Sequence, residues 1–412
     1  MIRAQFKLLR RLWALHPPLR LVWRVHRWFA GYLMREFAWW YAAWCALAIA
    51  LVVWAGWPEG AAGGVLVAAL AAALAWFALL GRRSMLSARA VDRALEAIPG
   101  EPPATRFPRS HLALPPLMLF ARSVRKERGV VFHEEGRLRL RLDIYRPAIP
   151  PDDGPRPAVV QVHGGGWISG SRVEQGIPLL NHLAANGWVG FNVDYRLSPR
   201  ATLPEHVVDV KRAIAWVRDN AGELGIDPQR IALTGGSAGG HLTALAALTS
   251  DDRTLQPGFE DADTSVAAAV PFYGVYDMLD TDTVYYEGLR SWLLEEVVIK
   301  RRRDDDPEAF RAVSPTHRVH AGSPPFLLFH GEHDSLVPVE DARTFARRLE
   351  EVSRNKAIYV ELPGAEHAFD LMPSHRTARV VEGIERFLRA EVMERANGAP
   401  APSEPPATLS RA

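Results

Sequence analysis

Hydrophobic and polar positions along this chain fall into distinct regimes. Residues 37–57 contain no charged side chain, and after the break Pro58-Glu59-Gly60 the stretch 61–80 is again uncharged and apolar. Each run has the length of a helix that crosses a bilayer. Trp39, Trp40 and Trp44 stand early in the first run, Trp54 and Trp57 late in it, and Trp76 near the end of the second, as interfacial anchors do. Beyond residue 130 the pattern changes. Leu138, Leu140, Leu142 and Ile144 alternate with polar residues after the turn Glu135-Gly136, and with 130–132 they predict an antiparallel hairpin. Short apolar runs at 158–162, 189–193, 230–233, 266–271, 326–329 and 358–362 then read as strands. They alternate with helical patterns at 177–185, 205–220, 238–249, 339–351 and 375–392. Such alternation predicts a mostly parallel sheet with helices on both faces.

Between residues 273 and 314 no strand signal appears, which predicts a helical lid inserted after the sixth strand. Prolines crowd 95–116 without periodicity, and 397–412 is rich in Pro, Ala and Ser. The expected organisation is a basic amphipathic segment over 1–36 and two transmembrane helices within 37–80. A linker and partial cap over 81–127, an α/β domain over 128–395 with its lid at about 275–313, and a disordered tail over 396–412 follow.

Charge sharpens this picture at the amino terminus. The net charge of +2 over 412 residues is near neutral, and no basic stripe interleaved with aromatics runs through the central region, which argues against a nucleic-acid partner. Arg3, Lys7, Arg10, Arg11, Arg20, Arg24, Arg27 and Arg35 precede the apolar pair, Arg82, Arg83, Arg89 and Arg93 follow it, and only Glu59 marks the turn. The positive-inside rule then predicts a membrane hairpin with both ends, and the α/β domain, in the cytoplasm. Residues 6–28 read either as an amphipathic helix on an anionic membrane surface or as a basic flank. A buried soluble hairpin is the alternative for the apolar pair; a cleaved signal peptide does not fit a run that starts so deep and extends so far. Cys45 is the only cysteine, which excludes an internal disulfide and a multi-cysteine metal site.

The candidate chemistry lies at strand ends. In Thr234-Gly235-Gly236-Ser237-Ala238-Gly239-Gly240, one serine stands among glycines between a predicted strand and a predicted helix, matching G-x-S-x-G. A serine hydroxyl needs a base, and the base an orienting carboxylate. Strand 326–329 leads into His330-Gly331-Glu332-His333-Asp334, and strand 358–362 into Pro363-Gly364-Ala365-Glu366-His367. Strand 158–162 leads into His163-Gly164-Gly165-Gly166-Trp167, whose bare backbone can aim N–H groups at an oxyanion; the N–H of Ala238 offers a second donor. No G-K-[ST] follows either glycine cluster, so a phosphate loop does not fit.

"VHGGGW", "DYRLSP", "GGSAGGH", "GEHDSLVP" and "PGAEHAF", in this order, resemble the α/β-hydrolase fold, and within it the hormone-sensitive-lipase-like esterases with an HGGG motif. The similarity covers residues 130–392. The resemblance implies Ser237 as nucleophile, His367 as base and acid, Asp334 as orienting carboxylate, and Gly165, Gly166 and Ala238 as oxyanion donors. His163 and the Asp194-Tyr195-Arg196 motif would be structural, His333 and His375 surface residues, and Glu332 and Asp341 the alternative acids. It further implies an α/β fold and a carboxylesterase; with the all-α membrane hairpin read from the apolar runs ahead of it, the expectation is a membrane-associated enzyme acting on small-molecule or lipid acyl esters. That chemistry requires neither cofactor nor metal. Amide or formamide cleavage and a non-catalytic hydrolase-fold receptor are the alternatives. Two departures stand out: Gly236 replaces the acidic residue that many such esterases carry before the serine, and the membrane-like amino terminus replaces their cap.

Overall fold

The computed structural model describes residues 17–57, 60–96, 98, 106–108, 121–149 and 154–394. The outer part of the basic segment (1–16), the turn at 58–59, most of the linker (97–120) and the tail from 395 lie outside the described residues.

Among the described residues eight strands form one sheet in the order β1-β2-β4-β3-β5-β6-β7-β8. The hairpin of β1 (Val124–Glu135) and β2 (Leu138–Pro147) is antiparallel, and β2 pairs antiparallel with β4 (Val189–Val193). All remaining pairs are parallel, through β3 (Arg156–Val162), β5 (Ile226–Gly236), β6 (Ala268–Phe272), β7 (Phe326–Gly331) and β8 (Ala357–Leu362). Burial explains the two sequence patterns. Phe326, Leu327, Leu328 and Phe329 of β7 are buried on both faces of the sheet and form an unbroken apolar run, whereas β1 lies at the edge and keeps many polar residues exposed.

Helices cover both faces. Apolar residues of α5 (Glu205–Asp219), α6 (Ala238–Leu248) and α7 (Val339–Val352) pack on one side. On the other lie α4 (Ile177–Ala185) and α8 (His375–Leu388), whose Val380, Val381, Ile384, Phe387 and Leu388 recur at helical spacing. The segment between β6 and β7 is helical, including the turns at Gly288–Val298 and Pro307–Ala312.

Among the described residues three helices precede the sheet: α1 (Pro17–Glu36), α2 (Ala38–Trp54) and α3 (Ala61–Ala94). Helix α3 does not stop at the charged residues after Leu80. Ala, Leu, Met and Arg are good helix formers, and the continuation lays Val91, with Leu95 just beyond it, against the core beside α8. Among the described residues α3 is the one helix long and apolar enough by itself to cross a bilayer, and its most apolar stretch lies outside the core. Helix α2 meets that test only together with α1, from which it is bent by 68°.

One buried ion pair locks these helices to the sheet domain. Glu36, at the end of α1, pairs with Arg376 of α8 and accepts a hydrogen bond from Ser374 Oγ at 2.8 Å. Arg376 Nε donates to Ser87 Oγ of α3 at 3.0 Å.

Candidate active site

Strand β5 ends at Gly236 and α6 begins at Ala238, so Ser237 alone makes the turn, with φ 59° and ψ −122°. Positive φ is costly for a residue with a Cβ, and the surroundings hold it. Ser237 N–H donates to Phe272 O, and His241 N–H to Ser237 O, both at 3.0 Å. The glycine before the serine is enforced sterically: a Cβ on Gly236 would stand 2.7 Å from the Tyr273 hydroxyl. An acidic side chain in that place has no room. Tyr273, itself at φ 34°, hydrogen-bonds the partly buried Asp370 and lays its ring 4.5 Å from that of His367. Burial raises the pKa of Asp370.

The loops after β7 and β8 bring two residues together: His367 Nδ1 lies 2.6 Å from Asp334 Oδ2. Asp334 Oδ1 accepts the N–H groups of Leu336 at 2.9 Å and Val337 at 2.8 Å. Burial alone would raise the Asp334 pKa, but the imidazoles of His367 and His330 hold it well below the usual carboxylate range. His330, fully buried, places Nε2 at 3.2 Å from Asp334 Oδ2 and 3.1 Å from Val337 O. Burial disfavours its cation, yet the carboxylate prevails and its pKa is raised.

The third element is the loop after β3. Gly165 has φ 117° and a Cβ there would collide with the Ser169 carbonyl, while Gly166 has φ 61°. Neither backbone N–H, nor that of Ala238 at the head of α6, donates a hydrogen bond among the described residues. The helix dipole adds positive potential at Ala238.

Ser237, His367, Gly165 and Gly166 line one cavity of about 350 Å³. The Asp334 side chain is buried behind His367. The Ser237 hydroxyl has no hydrogen-bond partner among the described residues, so serine and histidine share a wall without being bonded. Such bonds often tighten only around a bound substrate. Tyr286, Leu289 and Leu293 of the insertion form part of the cavity wall, as do Val25 and Trp28 of α1. Among the described residues no three His, Cys, Asp or Glu side chains gather as a metal site.

The alternative acids are engaged elsewhere. Glu332 accepts the Gly364 N–H at 2.7 Å, and Asp341 accepts the Tyr276 N–H and the Tyr285 hydroxyl, both at 2.6 Å. His333 and His375 are exposed. His163 is buried, stacked 4.4 Å from Tyr195, whose hydroxyl donates to the His163 carbonyl at 3.1 Å. Arg196 Nε binds Asp209 Oδ2 at 2.8 Å, and Asp194 binds Arg172. Sequence reasoning gave no role to His330, Tyr273, Asp370 or Trp28. Of these only His330 had a signal, its place at the end of β7.

This sheet order, the serine on its strained turn, and the acid and histidine following β7 and β8 define an α/β hydrolase. A family model described as BD-FAE matches residues 142–349, and the chain belongs to that family. The probable carboxylic ester hydrolase LipM of Mycobacterium tuberculosis is 46% identical over 263 residues, 64% of this chain and 60% of that protein. The isoprenylcysteine alpha-carbonyl methylesterase ICME of Arabidopsis thaliana is 32% identical over 60% of this chain and 57% of its own length. Among solved structures, Thermogutta terrifontis esterase 2 phosphonylated by sarin superposes with a TM-score of 0.57 at 32% identity, covering 67% of this chain and 96% of that one. The chain spans 60–64% of the length of the LipM, LipQ and LipC proteins it matches.

Proposed function

We propose that this protein is a serine carboxylesterase held at a membrane by its amino-terminal helices. Ser237 Oγ attacks the carbonyl carbon of an acyl ester while His367 Nε2 takes the hydroxyl proton, and Asp334 stabilises the imidazolium so formed. The oxyanion settles among the N–H groups of Gly165, Gly166 and Ala238. The C–O bond then breaks and the alcohol leaves with the proton from His367. Water, deprotonated by His367, releases the acid from Ser237 by the same steps in reverse order.

The observation that carries this reading is the strained Ser237 sharing a cavity with a histidine whose other nitrogen is 2.6 Å from a buried carboxylate. The relatives named as esterases support the same class of reaction. On the membrane side, α2 and the apolar first half of α3 form the hairpin, with the flanking arginines and the catalytic domain in the cytoplasm. Turnover of p-nitrophenyl esters of graded acyl length by detergent-solubilised full-length protein tests the chemistry. Wild type should hydrolyse at least one of the series and Ser237→Ala none; equal turnover by the two would refute the assignment.

A further inference from the structure

Helix α1 is built inside out. Arg24, Trp28, Tyr32, Arg35 and Glu36, spaced along one helical face, turn toward the catalytic domain. Arg24 Nη1 donates to Ser335 O at 3.2 Å with its guanidinium 3.9 Å from the centre of the Tyr286 ring. Trp28 Nε1 donates to the carbonyl of His367 at 2.7 Å, and Arg35 Nη1 to Gly364 O at 3.2 Å. Around the rest of the helix large apolar side chains stand in the open: Val22 is 51% exposed, Trp23 61%, Val25 39%, Phe29 49% and Met34 49%. A helix on a protein surrounded by water shows the reverse arrangement. A contiguous exposed apolar face marks a contact with another apolar phase.

Three observations identify that phase as lipid. Helix α1 continues through Phe37 into α2, which packs along α3, whose most apolar stretch lies outside the core. The 68° bend between α1 and α2 turns α1 toward the plane of any bilayer that α2 crosses along its normal. Exposed Arg27 and His26 accompany the apolar residues, as suits a helix at the level of headgroups. Val25 matters most, because it is exposed to the outside and also lines the Ser237 cavity. The stripe Val22, Val25, Phe29 therefore ends at the cavity mouth, where Trp28 joins it to the backbone of His367.

We infer that α1 is a lipid-seated rim, and that its Val22–Val25–Phe29 stripe passes acyl esters dissolved in the bilayer directly to Ser237. This rests on the esterase reading above and names its substrates: esters whose acyl chain partitions into membrane. Ile168, Leu289, Leu293 and Leu371 provide the apolar cavity wall such a chain requires.

The test uses full-length protein in vesicles of three parts phosphatidylcholine to one of phosphatidylglycerol. The substrates are p-nitrophenyl acetate, dissolved in water, and p-nitrophenyl palmitate, dissolved in the vesicles. Val22→Asp/Phe29→Asp changes two residues outside the cavity wall, and Val22→Ser/Phe29→Ser is the milder pair should the first fold poorly. The expected result is palmitate turnover lowered at least tenfold with acetate turnover within twofold of wild type. Equal palmitate turnover in wild type and variants, or a parallel loss on both esters, would overturn the rim. Wild type that hydrolyses neither ester would instead remove the esterase reading on which the rim depends.

Discussion

The sheet domain and the amino-terminal helices obey opposite rules of burial. In β3 and α6 the apolar side chains face inward, and buried polar groups such as Asp334 are matched by donors at short range. In α1 Arg24, Trp28, Arg35 and Glu36 bond inward, while Val22, Trp23, Phe29 and Met34 stand outward. An apolar run therefore acquires meaning only once its surroundings are known. The two regions also meet at the chemistry: the residue bonded to the carbonyl of His367 comes from α1, 339 positions earlier.

Substitutions separate the two regions, beginning with the largest effect. Asp334→Asn should lower kcat by about 10⁴, as loss of the orienting carboxylate does in a serine triad, with the circular dichroism spectrum unchanged. Near-wild-type turnover would transfer the acid's role elsewhere. Glu36→Gln leaves the Arg376 charge buried without its partner and should destabilise the fold by about 3–5 kcal/mol in denaturant unfolding. Glu36→Gln combined with Arg376→Met should recover much of that loss; no difference between single and double variants would show that the pair does not join the regions. Gly236→Ala forces a methyl against Tyr273 and should cost about 1–3 kcal/mol, partly restored by Tyr273→Phe, which removes the nearest atom.

The smallest effect is in pH. Because the folded state holds the Asp334 pKa below its unfolded value of about 3.9, its contribution is fully present above that pH and is lost as pH falls further. Wild type should lose stability on acidification below about pH 4 more steeply than Asp334→Asn. Parallel acid-unfolding curves would contradict the depressed pKa.

The strands were legible because parallel strands covered on both faces leave mostly apolar runs, as 326–329 shows. The glycines around Ser237 and after Val162 were legible because close backbone approach and positive φ admit few other residues. Contacts between residues distant in sequence left no such trace. Nothing periodic links Trp28 to His367 or Glu36 to Arg376, since each pair forms only after the helices dock. The extent of α3 beyond the membrane-like stretch was hidden for a related reason: Arg82 and Arg83 mark where the surroundings of the helix change, and the helix itself continues.

The central claim, that Ser237 is the nucleophile activated by His367, is tested most directly by trapping. Full-length protein treated with a fluorophosphonate, digested and mapped by mass spectrometry should carry one adduct, on Ser237, and labelling should fall at least a hundredfold in His367→Ala. An adduct on another serine, or ester turnover that survives in Ser237→Ala, would contradict it.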